Sequence, residues 1–170
     1  MKRRRWNDLA WLAVLVATAG VLSSGCKSTP KPKPVPWTVT ITKETPASIE
    51  VDVVGVSPSE KPYWQNNVRP DDYWKNGPVR QAAQKVSTTF KEGATFTIPA
   101  TDPIWKQWFG YGSTELMIMA NLPGKYDNSP YDRRRLFVTL DKKAWQSKDK
   151  TLKIQILDEF IRVLTPPKKP

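Results

Sequence analysis

The residue types that carry most enzymatic chemistry are scarce in this sequence. It contains no histidine, and its one cysteine is Cys26. Catalysis by Ser-His-Asp or Cys-His groups, and the usual zinc sites, therefore lack a necessary side chain. Carboxylates such as Asp71 and Asp72 occur in loops, but no spacing pairs two of them as a glycosidase requires, and no regular calcium-binding loop is present. We predict a protein that is not an enzyme and that uses no metal or cofactor.

Aromatic residues form the first candidate binding surface. Two Tyr-Trp pairs, Tyr63-Trp64 and Tyr73-Trp74, lie in a long segment that has no strand pattern and is rich in polar residues. Exposed Trp and Tyr side chains could stack on sugar rings or bind a partner protein. Alternatively, these tryptophans pack the segment onto the rest of the domain. The sequence leaves both interpretations open.

Three consecutive arginines form the second candidate. Arg133, Arg134 and Arg135 follow a loop that contains Tyr126 and Tyr131. If Arg135 begins a strand, alternation places Arg133 and Arg135 on one face, where guanidinium groups suit carboxylate or phosphate partners. The alternative is a solvated strand edge that its charges protect from unwanted pairing.

Alternating apolar residues predict the strands that must position these side chains. Residues 86–90 and 95–98 suggest a hairpin around Lys91-Glu92-Gly93, and 115–122 is apolar on both faces, which is typical of a central strand. The further predicted strands are 37–42, 49–53, 135–140, 152–156 and a continuation at 160–164. Short helices are predicted at 79–84 and after Asp102-Pro103. This pattern predicts a mainly all-β fold: an antiparallel β-sandwich, transthyretin-like or immunoglobulin-like, with one or two short helical excursions.

The flanks of the domain are basic and rich in proline. Residues 27–36 alternate lysine with proline, which favours an extended tether of about 30 Å. The formal net charge of +11 suits an anionic surface such as lipid headgroups or peptidoglycan. The composition divides the chain into an N-terminal segment at 1–25, Cys26 with the tether at 26–36, the sandwich at 37–164, and a tail at 165–170 that we predict to be disordered.

The N-terminus resembles that of bacterial lipoproteins. A basic stretch, Lys2 to Arg5, precedes an apolar run from Leu9 to Leu22, which is shorter than the roughly 20 residues of a membrane span. The run ends in Leu-Ser-Ser-Gly-Cys26, similar to a lipobox, although Ser23 occupies the position where that family usually has leucine. The resemblance implies that 1–25 is a signal peptide, that cleavage before Cys26 and acylation of its thiol leave a lipidated cysteine and tether at 26–36, and that the chain is anchored to a membrane. For a protein exported in this way we expect no nucleic-acid partner. Lys27, by the same resemblance, favours the outer membrane, facing the periplasm. The alternative is a short transmembrane anchor.

The layout also resembles the outer-membrane lipoprotein family of type VI secretion systems. A short tether, a single sandwich over 37–164 and a helical excursion at 71–84 are similar to that family, although no specific motif matches. The resemblance implies a non-catalytic anchor or adaptor that binds an envelope protein. The alternative is a module that binds carbohydrate or peptidoglycan.

Overall fold

The computed structural model describes residues 33–44, 46–75, 77–91 and 93–169. The predicted signal peptide, Cys26 and most of the predicted tether lie outside these residues. Within them, the strands are β1 (Thr38–Lys43), β2 (Ile49–Val56), β3 (Lys85–Phe90), β4 (Thr95–Ile98), β5 (Glu115–Ala120), β6 (Arg135–Thr139), β7 (Thr151–Ile156) and β8 (Ile161–Val163). The helices are α1 (Lys61–Asn66), α2 (Pro70–Trp74), α3 (Pro78–Ala82), α4 (Ile104–Gly110) and a 3-10 turn (Lys142–Ala144).

The strands form two four-stranded sheets, which confirms the β-sandwich. The first sheet has the order β4-β1-β7-β8 and the second has the order β3-β2-β5-β6. Every pair in the second sheet is antiparallel, whereas β1 and β7 in the first sheet run parallel. The sandwich is therefore mainly but not entirely antiparallel.

The core lies between the sheets and is built by alternation. In β2 the odd-numbered residues Ile49, Val51 and Val53 face the main core, while Val54 and Val56 face the opposite side. Gly55 continues the inward series, and the missing side chain leaves room for Trp108 of α4. A Cβ atom at Gly55 would lie 2.3 Å from Trp108 Cγ, closer than any real contact. The close packing of α4 against β2 therefore depends on a glycine at position 55.

The predicted hairpin at Lys91-Glu92-Gly93 is wrong, although both of its strands exist. β3 pairs with β2 in the second sheet and β4 pairs with β1 in the first. The connection therefore crosses between the sheets. Phe90 and Ile98 both point into the shared core from opposite sheets. Alternation identifies extended residues but does not identify the strands with which they pair.

Both ends of the domain extend beyond the predicted limits. Pro34 pairs with Asp141, and the Val35 N–H donates to the Leu140 carbonyl at 3.2 Å, so the predicted tether ends inside the fold. The stretch 166–168, where the sequence predicts disorder, is hydrogen-bonded to residues 144–146. Proline-rich composition favours extended backbone, and extended backbone can add to a sheet edge as readily as it can remain solvated.

More helices are present than the sequence predicts. The segment between β2 and β3 contains α1, α2 and α3, and each of these short helices has a proline in its first turn, where the missing N–H costs nothing. No helix in the described part of the chain is long and apolar enough to cross a bilayer.

Candidate functional site

The helical excursion between β2 and β3 is held by a second apolar cluster on the outer face of the second sheet. Trp64 of α1 and Tyr73 of α2 are buried there against Met117 and Met119 of β5. This explains why the β5 sequence is apolar on both faces. Of the two interpretations of the aromatic pairs, the structure favours packing for Trp64 and Tyr73, because both side chains are buried.

The other two members of the aromatic pairs differ in exposure. Trp74 is half-buried, with the Arg80 guanidinium 4.4 Å from its ring centroid. Tyr63 is 49 % exposed. Of the four aromatic residues that the sequence offers as partner-binding candidates, Tyr63 is therefore the one with a largely accessible side chain.

A buried polar network fixes the excursion to β2. Asp52 is fully buried, and its Oδ2 accepts hydrogen bonds from Tyr73 Oη at 2.9 Å and from Arg80 Nε at 2.8 Å. Arg80 also reaches Glu50, at 3.2 Å. Burial, together with the negative charge of Asp52, raises the pKa of Tyr73 far above its ordinary value, so this phenol remains a donor. The sequence signal that could have revealed Asp52 is a carboxylate, two residues after Glu50, in the middle of an otherwise apolar strand.

The arginine cluster predicted from the sequence is divided by the fold. Arg133 is exposed, but Arg135 is buried and donates to the carbonyls of Trp64, Gln65, Val68 and Ser129 at 2.6–3.0 Å. The prediction that Arg133 and Arg135 share a binding face is therefore wrong. Arg135 is the first residue of β6, and the two residues before it lie in a turn, where strand alternation does not apply.

Arg134 also serves the fold. Its guanidinium donates to Asp132 Oδ2 at 2.8 Å and to Asp71 Oδ1 at 2.6 Å, and it stacks over Tyr126 at 4.3 Å from the ring centroid. The hydrogen bonds of Asn128 and Arg134 hold the pKa of Asp71 below its usual range. The loop before β6 is thereby tied to the N-terminus of α2.

An apolar groove of about 550 Å³ opens between the excursion and α4. Its aromatic residues are Tyr63, Trp64, Trp108 and Tyr111, and we call it the aromatic groove. Tyr63 and the 65 % exposed Tyr111 present accessible rings, while the two tryptophans are buried beneath them. The remaining lining residues are Val54, Gly55, Glu60, Pro78, Val79, Ala82, Ala83, Gln84 and Ser113.

One polar atom in this groove is buried and unpaired. Ser113 is 1 % exposed, and its Oγ has no hydrogen-bond partner within the described part of the chain. Glu60 lies at the rim, with Oε2 accepting from the backbone N–H and the hydroxyl of Ser57. Sequence reasoning missed Tyr111 and Ser113, and their only signal was the turn sequence Trp-Phe-Gly-Tyr-Gly around them.

A second recess, of about 690 Å³, lies in the loop before β6. We call it the tyrosine recess, after Tyr126 and Tyr131. Tyr131 is 84 % exposed, and the lining also contains Lys125, Arg133 and Glu159. Aromatic rings beside charged groups can bind polar ligands through stacking and hydrogen bonds. Among the described residues, no group of three or more His, Cys, Asp or Glu side chains could hold a metal ion.

No protein-family model matches this sequence, and no curated protein is similar to it. Solved structures are similar in fold. A chain in the structure of the T6SS protein TssM C-terminal domain (869-1107) from EAEC has a TM-score of 0.52 at 9 % identity, covering 75 % of this chain and 99 % of that one. The T6SS lipoprotein TssJ1 from Pseudomonas aeruginosa has a TM-score of 0.46 at 8 % identity, covering 81 % and 100 %. Serratia marcescens Lip, a membrane-bound component of the type VI secretion system, has a TM-score of 0.42 at 12 % identity, covering 81 % and 99 %. At these identities only the first similarity bears on this chain, and it concerns the sandwich fold alone.

Proposed function

We propose that this protein is a lipid-anchored, non-catalytic adaptor of a bacterial envelope assembly similar to a type VI secretion membrane complex. The observation that carries the proposal is the Gly25-Cys26 sequence behind a basic and apolar leader. The described fold begins only a few residues later, with Pro34 paired to Asp141. Acylation of Cys26 would therefore hold the domain close to a membrane. By the lipoprotein resemblance, a lysine at position 27 favours the outer membrane, with the domain facing the periplasm.

The fold supports the same context. The sandwich is similar to a chain in the structure of a TssM C-terminal domain, and that protein belongs to a type VI secretion system. A β-sandwich is nonetheless used for many functions, so the adaptor role needs independent support from a binding site. The aromatic groove supports it, because exposed tyrosines beside buried apolar residues are typical of surfaces that bind proteins.

Two measurements test the proposal. A fatty-acid probe should label the wild-type protein in cells, and Cys26→Ala should abolish that labelling and release the domain from the membrane fraction. A photo-crosslinking amino acid in place of Tyr63 should capture an envelope protein. Labelling that survives Cys26→Ala would refute the anchor, and an absence of envelope crosslinks from every exposed position would refute the adaptor role.

The tyrosine recess favours a second candidate function, binding of carbohydrate or peptidoglycan. Tyr131 presents almost its whole ring to solvent, beside Lys125 and Arg133. A calorimetric titration with soluble peptidoglycan fragments tests this function. Binding to the wild-type protein that is lost in Tyr131→Ala would support it, whereas no heat of binding with the wild-type protein would exclude these fragments as ligands.

A further inference from the structure

We propose that the aromatic groove binds an extended peptide segment of a partner protein, one that carries an aliphatic or proline side chain next to a lysine or arginine. The inference rests on the proposed adaptor function and names the chemistry of the partner. The volume of about 550 Å³ suits a few side chains rather than a whole domain face. Tyr63 and Tyr111 would flank the apolar side chain, as aromatic rings do in grooves that bind proline-rich segments.

Ser113 favours a peptide over a lipid as the occupant. Ser113 as a residue is 1 % exposed, and its covered hydroxyl lacks a partner within the described residues, so a polar group that enters the groove could bond to it after a small shift of the covering atoms. A peptide backbone supplies an N–H and a C=O at nearly every residue. An acyl chain supplies neither, and would leave the hydroxyl buried and unpaired.

Glu60 determines the preferred charge of the occupant. Its Oε2 is engaged by Ser57, and the carboxylate remains exposed at the rim. A lysine or arginine beside the apolar anchor would complement this charge, whereas an anionic headgroup would be repelled. Charge complementarity therefore points in the same direction as the unpaired hydroxyl.

The groove has a defined position relative to the first residues of the described domain. Hydrogen bonds run across one end of the second sheet, from the Val35 N–H to the Leu140 carbonyl and from the Leu140 N–H to the Thr114 carbonyl. Two strand spacings of about 4.8 Å place Val35 about 10 Å from Thr114. Ser113 precedes Thr114 in the chain, so this groove residue lies near Val35, at the end of the domain where the described chain begins.

A peptide selection tests the inference directly. The mature chain, made with Cys26→Ser so that it remains in solution, is used to select phage-displayed random dodecapeptides. The selected consensus should combine an aliphatic or proline residue with lysine or arginine. A synthetic peptide with this consensus should bind Tyr111→Ala about ten-fold more weakly than the wild-type protein. Glu60→Gln should weaken the binding of the same peptide about three-fold, and this binding should depend less on salt concentration.

Tyr131→Ala is the matched control, because it removes another exposed tyrosine, which lies outside the aromatic groove, and should leave the affinity for the peptide unchanged. Absence of a consensus, or a consensus insensitive to Tyr111→Ala, would overturn the inference. Binding of anionic phospholipid vesicles that is lost in Tyr111→Ala would also overturn it, by assigning the groove to lipid. If an envelope protein crosslinks at Tyr63 but the selection fails, the adaptor function stands and only the peptide inference falls.

Discussion

Gly55 of β2 and Trp108 of α4 are packed so closely that any side chain at position 55 would force the indole to shift. A Cβ atom there would lie 2.3–2.7 Å from three atoms of the Trp108 side chain. Trp108 is also fixed at its other end, because its Nε1 donates to the Gln84 carbonyl at 2.9 Å. The indole is therefore the link between α4, β2 and the start of β3, and it forms the floor of the aromatic groove.

Gly55→Ala should destabilise the protein by about 1–3 kcal/mol, because the added methyl group must displace a fully buried indole. Denaturant unfolding monitored by tryptophan fluorescence measures the change. Gly110→Ala is the control, since nothing lies within 4 Å of its Cβ position, and its unfolding midpoint should change little. Equal midpoints for the two variants would show that the helix can move away from β2 at no cost.

Tyr73→Phe should alter the pH dependence of stability in the alkaline range. The raised pKa means that folded Tyr73 keeps its proton while the unfolded chain loses it above pH of about 10. The unfolded state then binds fewer protons, so the free energy of unfolding falls as pH rises, by up to about 1.4 kcal/mol per pH unit. The contribution of protonated Tyr73 to the free energy of unfolding is fully present below a pH of about 10 and is lost as the pH rises above it.

Denaturant unfolding at a series of pH values from neutral to strongly alkaline checks this. The wild-type protein should lose stability more steeply than Tyr73→Phe, since the difference isolates this one phenol from the titrating lysines. The variant should also be about 1 kcal/mol less stable at neutral pH, because Asp52 loses a donor. Parallel curves for the two proteins would contradict the assignment.

Arg135→Lys should loosen the helical excursion. A lysine cannot reproduce the planar fork that donates to four backbone carbonyls, so carbonyls at the end of α1 lose their donors. We expect a loss of about 3 kcal/mol. Hydrogen exchange of residues 61–75 should accelerate.

Arg133→Lys, two residues earlier and exposed, is the matched control for Arg135→Lys and should change stability by less than about 0.5 kcal/mol. A similar effect from both substitutions would mean that the two arginines are equivalent, as a shared strand face would require.

Ser113→Ala should leave the fold as stable as the wild type or raise its free energy of unfolding by about 1 kcal/mol. The substitution removes a hydroxyl that is buried and unpaired within the described chain. Ser57→Ala, at another buried serine, should instead cost about 1 kcal/mol, because the Ser57 hydroxyl donates to Glu60 Oε2 at 2.7 Å. Thermal unfolding compares the two. A loss of stability in Ser113→Ala would indicate that its hydroxyl is already satisfied in the free protein.

Local patterns predict much of the fold because strand alternation is a local property. The positions of the strands, including the doubly apolar β5, follow from a period of two residues. The helix at 78–82 overlaps the predicted 79–84, and the helix at 104–110 follows Asp102-Pro103, where the capping signal predicts it. Helix α1 is not predicted from the sequence, and helices as short as α1 and α2 depend on tertiary contacts, here those of Trp64 and Tyr73.

By itself, the sequence determines the absence of histidine, the single cysteine behind a lipoprotein-like leader, and the alternation of a β-sandwich. Only the tertiary structure decides that β3 and β4 join different sheets, that β1 and β7 run parallel, and that Arg135 is buried while Arg133 is exposed. It alone also brings Tyr63, Tyr111 and Ser113 together around one groove. These features depend on which distant surfaces each segment buries, and burial against a partner far along the chain leaves no period in the local sequence.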